Sequence, residues 1–305
     1  MKINKIKSTD GVDLMYYTEK NDDYDQYIVI FGPPGMSIKF WIHIIDSLSE
    51  NYNIIGTEYR GFLNENHEIS KEGLYSRLIQ DYEEILDVES VVNAHLVSWC
   101  LGSKVMLGYF TTYPHRVRSM TSLNTAFRAH DIMNRGKFSE MIFQIMERIK
   151  KKPKSINRML SIMENIGIIP TSNFVSMLKE EEENSALINL YGIVEKESSL
   201  GSLAFYLINT PTTLKNYLSI YSVLSSYDLT DEMINSEVNY LILSSEVDTI
   251  TPVSDEDLET FARGKMVCHR FVDKGSHFML IEYPLKIARL INENIVRAVK
   301  AGENV

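Results

Sequence analysis

The sequence predicts an α/β fold with a mostly parallel central sheet, helices on both faces and a helical cap insertion. The chain of 305 residues is long enough for one large domain that carries an insertion. Short apolar runs alternate with segments of helical periodicity in both the first and the last part of the chain. Such repeated strand–helix units are typical of a parallel sheet that is covered by helices.

Strand and helix signals alternate from the N-terminus to about residue 127. Asp10 and Gly11 separate the short strand-like segments 3–7 and 14–18, which predicts an opening hairpin. The apolar run 27–31 stops at a glycine- and proline-rich loop, as a buried strand does at its end. Apolar residues then recur at helical spacing near residues 40–48. Further along, the pattern predicts strands 53–57, 94–99 and 117–123 and helices 72–86 and 103–112.

The alternation stops between about Arg128 and Asp231. Methionine and isoleucine recur there at helical spacing, with few strand signals, which predicts a helical insertion. We interpret its methionines as core residues, with an adaptable pocket wall as the second reading. The pattern then resumes with strands 238–243 and 266–272 and helices near 256–261 and 284–299. We therefore expect a core domain of residues 1–127 and 232–305, and a cap of residues 128–231.

Composition and charge exclude several classes of protein. The net charge of -10 opposes non-specific binding to nucleic acid or anionic lipid. No segment reaches the roughly 18 apolar residues of a membrane span, so we expect a cytoplasmic protein. The two cysteines are too few for a disulfide framework and form no metal-ligand pair, and we expect neither a metal nor a cofactor. The charged runs 150–154 and 180–183 are interpreted as solvated helix ends.

The segment 94–103 carries the strongest chemical signal. It passes from a predicted strand into a predicted helix, with Cys100 at the turn and the small residues Ser98 and Gly102 two positions to either side. A nucleophile on such a turn sits in strained backbone geometry, and bulky residues at those two positions would clash. The segment resembles the nucleophile elbow of the α/β-hydrolase superfamily, with cysteine in place of the usual serine.

Two later segments resemble the other catalytic loops of that superfamily. Asp248 follows a predicted strand and precedes Pro252 by four positions, as in the superfamily's acid loop. His277 follows the last predicted strand, in a segment that resembles the histidine loop. The order nucleophile, acid, histidine is the superfamily's own. The resemblance therefore implies a triad of Cys100, His277 and Asp248, whereas Asn124, where some members place their acid, carries an amide.

The resemblance also implies an oxyanion hole. The backbone N–H of Leu101 would supply one donor. The loop that begins Phe31-Gly32-Pro33 resembles the superfamily's His-Gly-x loop, but Pro33 stands where the second N–H is usual and has none. Either a shifted backbone group near Gly32 or a side chain such as Ser37 substitutes, or the oxyanion hole is incomplete and hydrolysis is poor.

Three aromatic residues are predicted to line the substrate pocket. Phe31 ends an early strand, Trp99 precedes the nucleophile and Phe278 follows the histidine.

The function that the resemblance implies is acyl transfer from an ester or thioester through a thioester on Cys100. A thiolate, assisted by His277, would be the attacking group. By resemblance, the substrate is an acyl ester or thioester, with a carrier-protein-bound or CoA-bound acyl group as one form. A ligand-binding or scaffolding protein that kept the fold but lost turnover is the alternative from another class. A third reading is a carbon–carbon or dehalogenation enzyme on the same fold. The residue at position 100 opposes it, because a dehalogenase would require a carboxylate there.

Overall fold

Eight strands form one sheet in the computed structural model, which describes residues 1–62, 68–129, 137–165 and 207–302. Their order across the sheet is β1-β2-β4-β3-β5-β6-β7-β8. The strands are β1 (Lys2–Lys7), β2 (Asp13–Glu19), β3 (Tyr27–Phe31), β4 (Asn53–Thr57), β5 (Ala94–Trp99), β6 (Val117–Leu123), β7 (Asn239–Ser245) and β8 (Val267–Val272).

The sheet is mostly parallel, as the sequence predicts. β1 and β2 form the opening antiparallel hairpin, and β2 is antiparallel to β4. The pairs from β4 through β3, β5, β6 and β7 to β8 are all parallel. Every residue of β4, β5 and β7 is buried, which is typical of strands covered by helices on both faces.

Ten α-helices lie in the described residues. α10 packs against β6 and β7, and α1 packs on α10, while α2 packs on α3, which lies against β3 and β5. The helices are α1 (Ile42–Leu48), α2 (Leu74–Val88), α3 (Gly102–Thr112), α4 (Lys137–Lys151), α5 (Ile156–Asn165), α6 (Pro211–Ser226), α7 (Thr230–Ile234), α8 (Asp255–Arg263), α9 (Met279–Glu282) and α10 (Pro284–Gly302).

The described residues between β6 and β7 contain helices and no strand, in agreement with the predicted helical insertion. α6 packs on the loops that follow β3 and β4: a Cβ atom added to Gly35 would lie 3.2 Å from the Tyr217 ring. The Asn216 amide donates to the Gly61 carbonyl at 2.7 Å. α6 therefore lies at the carboxyl ends of the parallel strands. Residues 130–136 and 166–206, with the acidic run 180–183, are outside the described residues, and the limits of the cap stay a prediction.

The basic run 150–154 is exposed, in agreement with its interpretation as a solvated helix end. No helix within the described ranges is both long enough and apolar enough to cross a bilayer.

Candidate active site

Cys100 lies at a strained turn between β5 and α3. Its φ angle of 51° falls in the left-handed region, which residues with a side chain rarely adopt. The Cys100 N–H donates to the Leu123 carbonyl at 3.0 Å, and this bond fixes the turn against β6. A Cβ atom at Gly102 would lie 2.1 Å from the Phe31 carbonyl oxygen, so only glycine fits where α3 begins. The predicted elbow is thus confirmed in its backbone geometry.

His277 and Asp248 form a buried pair. The His277 Nδ1 and Asp248 Oδ2 atoms are 2.9 Å apart, and the two side chains are 4% and 1% exposed. Asp248 also accepts bonds from the backbone N–H of Ile250 at 2.7 Å and of Thr251 at 3.0 Å. The Thr251 hydroxyl donates to Asp248 Oδ2 at 2.8 Å. These bonds fix the carboxylate, so that one oxygen remains directed at the imidazole.

Cys100 and Asp248 both affect the pKa of His277. Burial opposes protonation of the imidazole, but the negative charge of Cys100 and the hydrogen bonds with Asp248 and Cys100 outweigh it. Together they raise the pKa of His277 to about 9. Burial also raises the pKa of Asp248, yet the bonds from His277, Thr251 and Ile250 leave it below its ordinary value. The arrangement favours a protonated His277 at neutral pH.

The histidine loop is held by groups from three other strand ends. The Trp99 indole N–H donates to the His277 carbonyl at 3.1 Å. The Asn124 amide donates to the carbonyls of Ser276 at 3.3 Å and His277 at 3.1 Å. Its oxygen accepts the Ser245 N–H at 2.8 Å. Asn124 therefore joins the ends of β6 and β7 to the loop that carries the imidazole.

Sequence reasoning missed this positioning role, because it considered Asn124 only as a candidate acid. The one available signal was its residue type. Asparagine is among the few residues that tolerate a positive φ, and Asn124 has φ 45°.

Of the residues predicted to donate a backbone N–H to an oxyanion, Leu101 has one and Pro33 does not. Leu101 begins the first turn of α3, and within the described residues its N–H bonds to no other backbone carbonyl. Pro33 follows Gly32 after β3 and has no N–H to offer. The Ser37 hydroxyl, the substitute considered above, donates instead to the Glu58 carboxylate at 2.6 Å. Ser37 is thus committed to a different buried contact.

Two of the three predicted pocket aromatics lie beside the imidazole. The ring centroids of Trp99 and Phe278 are 5.5 Å and 5.8 Å from that of His277. Phe31 is instead completely buried and stacks on Tyr82 at 3.9 Å. Its ring points into the core between β3 and α2, so that only its backbone borders the elbow.

Two phenols also respond to the charge of Cys100 and were missed from the sequence. Tyr59 follows β4, and Tyr217 lies on α6. Burial raises the pKa of both hydroxyls, and the charge of Cys100 raises each further. Only the fold brings them near position 100, since they are distant from it along the chain.

A separate cavity of about 540 Å³ lies between the segment that follows β6 and the acid loop. Phe127, Thr251 and Phe261 are among its lining residues, and Cys100 is not. The cavity therefore flanks the loop that follows Asp248 and does not reach Cys100.

Comparison with known proteins identifies similar chains. A family profile described as the alpha/beta hydrolase fold matches residues 28–254. No curated protein matches the sequence. Three of the similar solved structures are an esterase from Thermogutta terrifontis, an esterase from Rhodococcus and an enol-lactonase from Burkholderia xenovorans.

The esterase from Thermogutta terrifontis has a TM-score of 0.67 and 15% identity, over 98% of this chain and 99% of its own. The Rhodococcus esterase has a TM-score of 0.69 and 14% identity, over 97% and 99%. The enol-lactonase has a TM-score of 0.67 and 15% identity, over 96% and 100%. At these identities the likeness is one of fold.

Proposed function

Because the chain belongs to the alpha/beta hydrolase fold family, we propose that Cys100, His277 and Asp248 form a triad that transfers an acyl group from an ester or thioester. The observation that carries this proposal is the geometry: Cys100 lies at a strained turn within hydrogen-bonding reach of His277, and Asp248 backs the imidazole at 2.9 Å. The names of the similar structures, two esterases and an enol-lactonase, support a carbonyl substrate.

In the proposed acylation step, the Cys100 thiolate attacks the carbonyl carbon and a C–S bond forms. The electron pair of the carbonyl moves to oxygen, and the Leu101 N–H stabilises the oxyanion. The tetrahedral intermediate collapses when the bond to the leaving group breaks. His277 gives its Nε2 proton to the leaving oxygen or sulfur, while Asp248 keeps the Nδ1 proton in place. The product is a thioester on Cys100.

The second step releases the acyl group to an acceptor. Neutral His277 takes the proton of the acceptor as the acceptor attacks the thioester carbonyl, and the C–S bond breaks to restore the thiolate. Water, an alcohol, a thiol or an amine would all satisfy this scheme.

We further propose that water is a poor acceptor and that an amine, thiol or alcohol acceptor reacts faster. A thioester is intrinsically more open to amine and thiol attack than an oxygen ester. Pro33 removes the usual second oxyanion donor, and loss of one donor can cost about 2.7–4 kcal/mol in the acyl-transfer step. Losing this donor slows attack on the thioester most when the acceptor is a weak nucleophile such as water. A carrier-bound or CoA-bound acyl chain is the proposed donor, with the helical insertion as its cover.

Acylation is tested by intact-protein mass spectrometry with a panel of activated acyl thioesters. We expect one adduct, on Cys100. Cys268 is an internal control, because this second free thiol lies on β8 and is partly exposed. Cys100→Ala should remove the adduct, and His277→Ala should slow its formation strongly, since members of a triad act as a unit. An adduct on Cys268, or none with any donor, would refute the covalent mechanism.

The choice of acceptor is tested on the preformed acyl-enzyme. We expect added amines or thiols to divert most of the acyl group, and Pro33→Gly to raise hydrolysis by restoring an N–H. Cys100→Ser is the comparison, because its oxygen ester reacts less readily with amines. Rapid hydrolysis without diversion would indicate a plain esterase or thioesterase.

Pro33 also favours the second candidate, a binding protein without turnover. That candidate predicts saturable binding of acyl thioesters with no adduct on Cys100.

A further inference from the structure

Lys104 lies on α3 one turn after the nucleophile, and it is completely buried at 0% exposure. Its ammonium group donates to the Arg128 carbonyl at 2.7 Å and to the Tyr227 carbonyl at 2.8 Å. Burying a charged group is unfavourable unless it is hydrogen bonded. An apolar side chain would fill the same space without the cost of burying a charge. The difference that a lysine makes at this position is therefore its two bonds to the carbonyls.

The two carbonyls belong to opposite ends of the segment between β6 and β7. Arg128 lies near its start, and Tyr227 directly follows α6. Backbone contacts hold the same two ends together: the Leu229 N–H donates to the Phe127 carbonyl at 2.9 Å. One side chain from the nucleophile helix thus contacts both stems of the helical insertion.

The main chain and the neighbouring rings reinforce this junction. The Tyr227 ring stacks on Tyr75 at 3.9 Å, and the Tyr75 hydroxyl donates to the Lys104 carbonyl at 2.9 Å. The Arg128 guanidinium is held by Asp257 on α8 at 2.7 Å. Both stems are therefore fixed to the core on more than one side, with Lys104 between them.

The ammonium group lies in a poorly solvated environment. Burial lowers the pKa of Lys104 to about 7, although the charges of Asp228 and Cys100 oppose this shift. Asp228 also accepts hydrogen bonds from the backbone N–H groups of Ala129 at 3.3 Å and Thr230 at 3.0 Å, which are at the stems as well.

We propose that Lys104 is a positioning residue that fixes both stems of the insertion to the nucleophile helix and thereby sets how tightly an acyl group binds over Cys100. It takes no part in proton transfer. The stems are near the site because α6, which precedes Tyr227, packs on the loops after β3 and β4. The part of this inference that concerns acyl binding rests on the proposed function. The part that concerns the attachment of the stems to α3 is independent of it.

The structural part is tested by amide hydrogen exchange of the full chain without substrate. Lys104→Met removes both donors and keeps an unbranched side chain. Lys104→Gln keeps two N–H donors without the charge. In Lys104→Met we expect residues 127–129, 227–229 and α6 to exchange about tenfold faster or more, since bonds to a charged donor are worth at least that factor. Lys104→Gln should lie between this variant and the wild type.

Lys215→Met is the matched control. Lys215 is a partly exposed lysine on α6 that pairs with Glu68, so it also links the insertion to the core. Exposed ion pairs contribute little, and the exchange of this variant should equal that of the wild type. Unchanged exchange in Lys104→Met, or an equal effect in Lys215→Met, would overturn the proposal. Loss of folding in both Lys104 variants would also overturn it, because the lysine would then be required by the whole core.

The functional part is tested by single-turnover acylation with varied acyl thioester. In Lys104→Met we expect the half-saturating concentration to rise about tenfold or more. The limiting acylation rate and the alkylation of Cys100 by iodoacetamide should each change by less than the half-saturating concentration does. A fall in the limiting rate at unchanged half-saturation would overturn the positioning role. If no donor acylates the wild type, the proposed function fails, whereas the exchange experiment still decides the role of Lys104.

Discussion

The proton on His277 sets the pH range in which the proposed acylation can operate. The pKa of His277 is raised from its ordinary 6.5 to about 9, so the imidazolium persists below pH 9 and is lost as pH rises through that value. Acylation by a donor whose leaving group needs a proton should therefore decline above about pH 9. Asp248→Asn removes one cause of the raised pKa and should move this decline to lower pH. The measurement is the acylation rate constant against pH.

An aryl ester is the control donor for this profile, because its leaving group departs without protonation and should show no such decline. The assignment to His277 would be wrong if the decline stayed near pH 9 in Asp248→Asn.

Strain at Cys100 should be measurable as stability. A left-handed backbone conformation costs a residue with a Cβ atom about 1–2 kcal/mol, and Cys100 has φ 51°. Cys100→Ala and Cys100→Gly both remove the thiol, but only glycine relieves the strain. We expect the glycine variant to unfold at a higher denaturant concentration than the alanine variant. Its free energy of unfolding should be larger by about 1 kcal/mol. Equal stabilities would mean that the turn relaxes when the thiol is removed.

At the scale of elements, the close approach of α3 to the end of β3 depends on Gly102. A Cβ atom there would lie 2.1 Å from the Phe31 carbonyl oxygen and 2.6 Å from that of Gly32. Gly102→Ala must therefore push α3 away from β3, and overpacking of this kind costs about 1–3 kcal/mol. We expect lower stability in denaturant unfolding together with a large loss of acylation, because the Leu101 N–H moves with the helix.

Gly11→Ala is the control for Gly102→Ala. Gly11 has a φ of 84°, which is unfavourable for a residue with a side chain, but no atom lies within 4 Å of its Cβ position. Gly11→Ala should lower the free energy of unfolding by about 1 kcal/mol and leave acylation unchanged. Comparable acylation in both variants would show that the elbow tolerates a shift of α3.

At the scale of the whole molecule, we propose that the insertion is a lid whose helices open more readily than the sheet. α4 and α5 contact the turn 153–155 that joins them, and α5 also contacts α6, whereas β5 and β6 each pair with a strand on both sides. Elements that admit substrate tend to come from the less stable part of a fold. Amide exchange in α4 and α5 should therefore be faster than in β5 and β6, and an acyl ligand should slow it. Protection equal to that of the strands, with or without ligand, would contradict a lid.

The sequence by itself determined the core elements and the residue spacing of the turn at Cys100. Strand and helix periodicity is a local property, and the observed β3, β4, β5 and β6 have the predicted bounds. The spacing of Ser98, Cys100 and Gly102 is local as well, because one tight turn imposes all three positions.

Tertiary structure decided the contacts between residues that are distant along the chain. Three contacts depend on which strand ends are neighbours. They are the stacking of the Phe31 ring on Tyr82, the bond from Ser37 to Glu58 and the bond from Asn124 to the carbonyl of His277. The carbonyl partners of Lys104 lie 24 and 123 positions away. Local periodicity does not encode such pairings. They follow from packing, in which most buried polar groups bond to whichever partner the fold brings within reach.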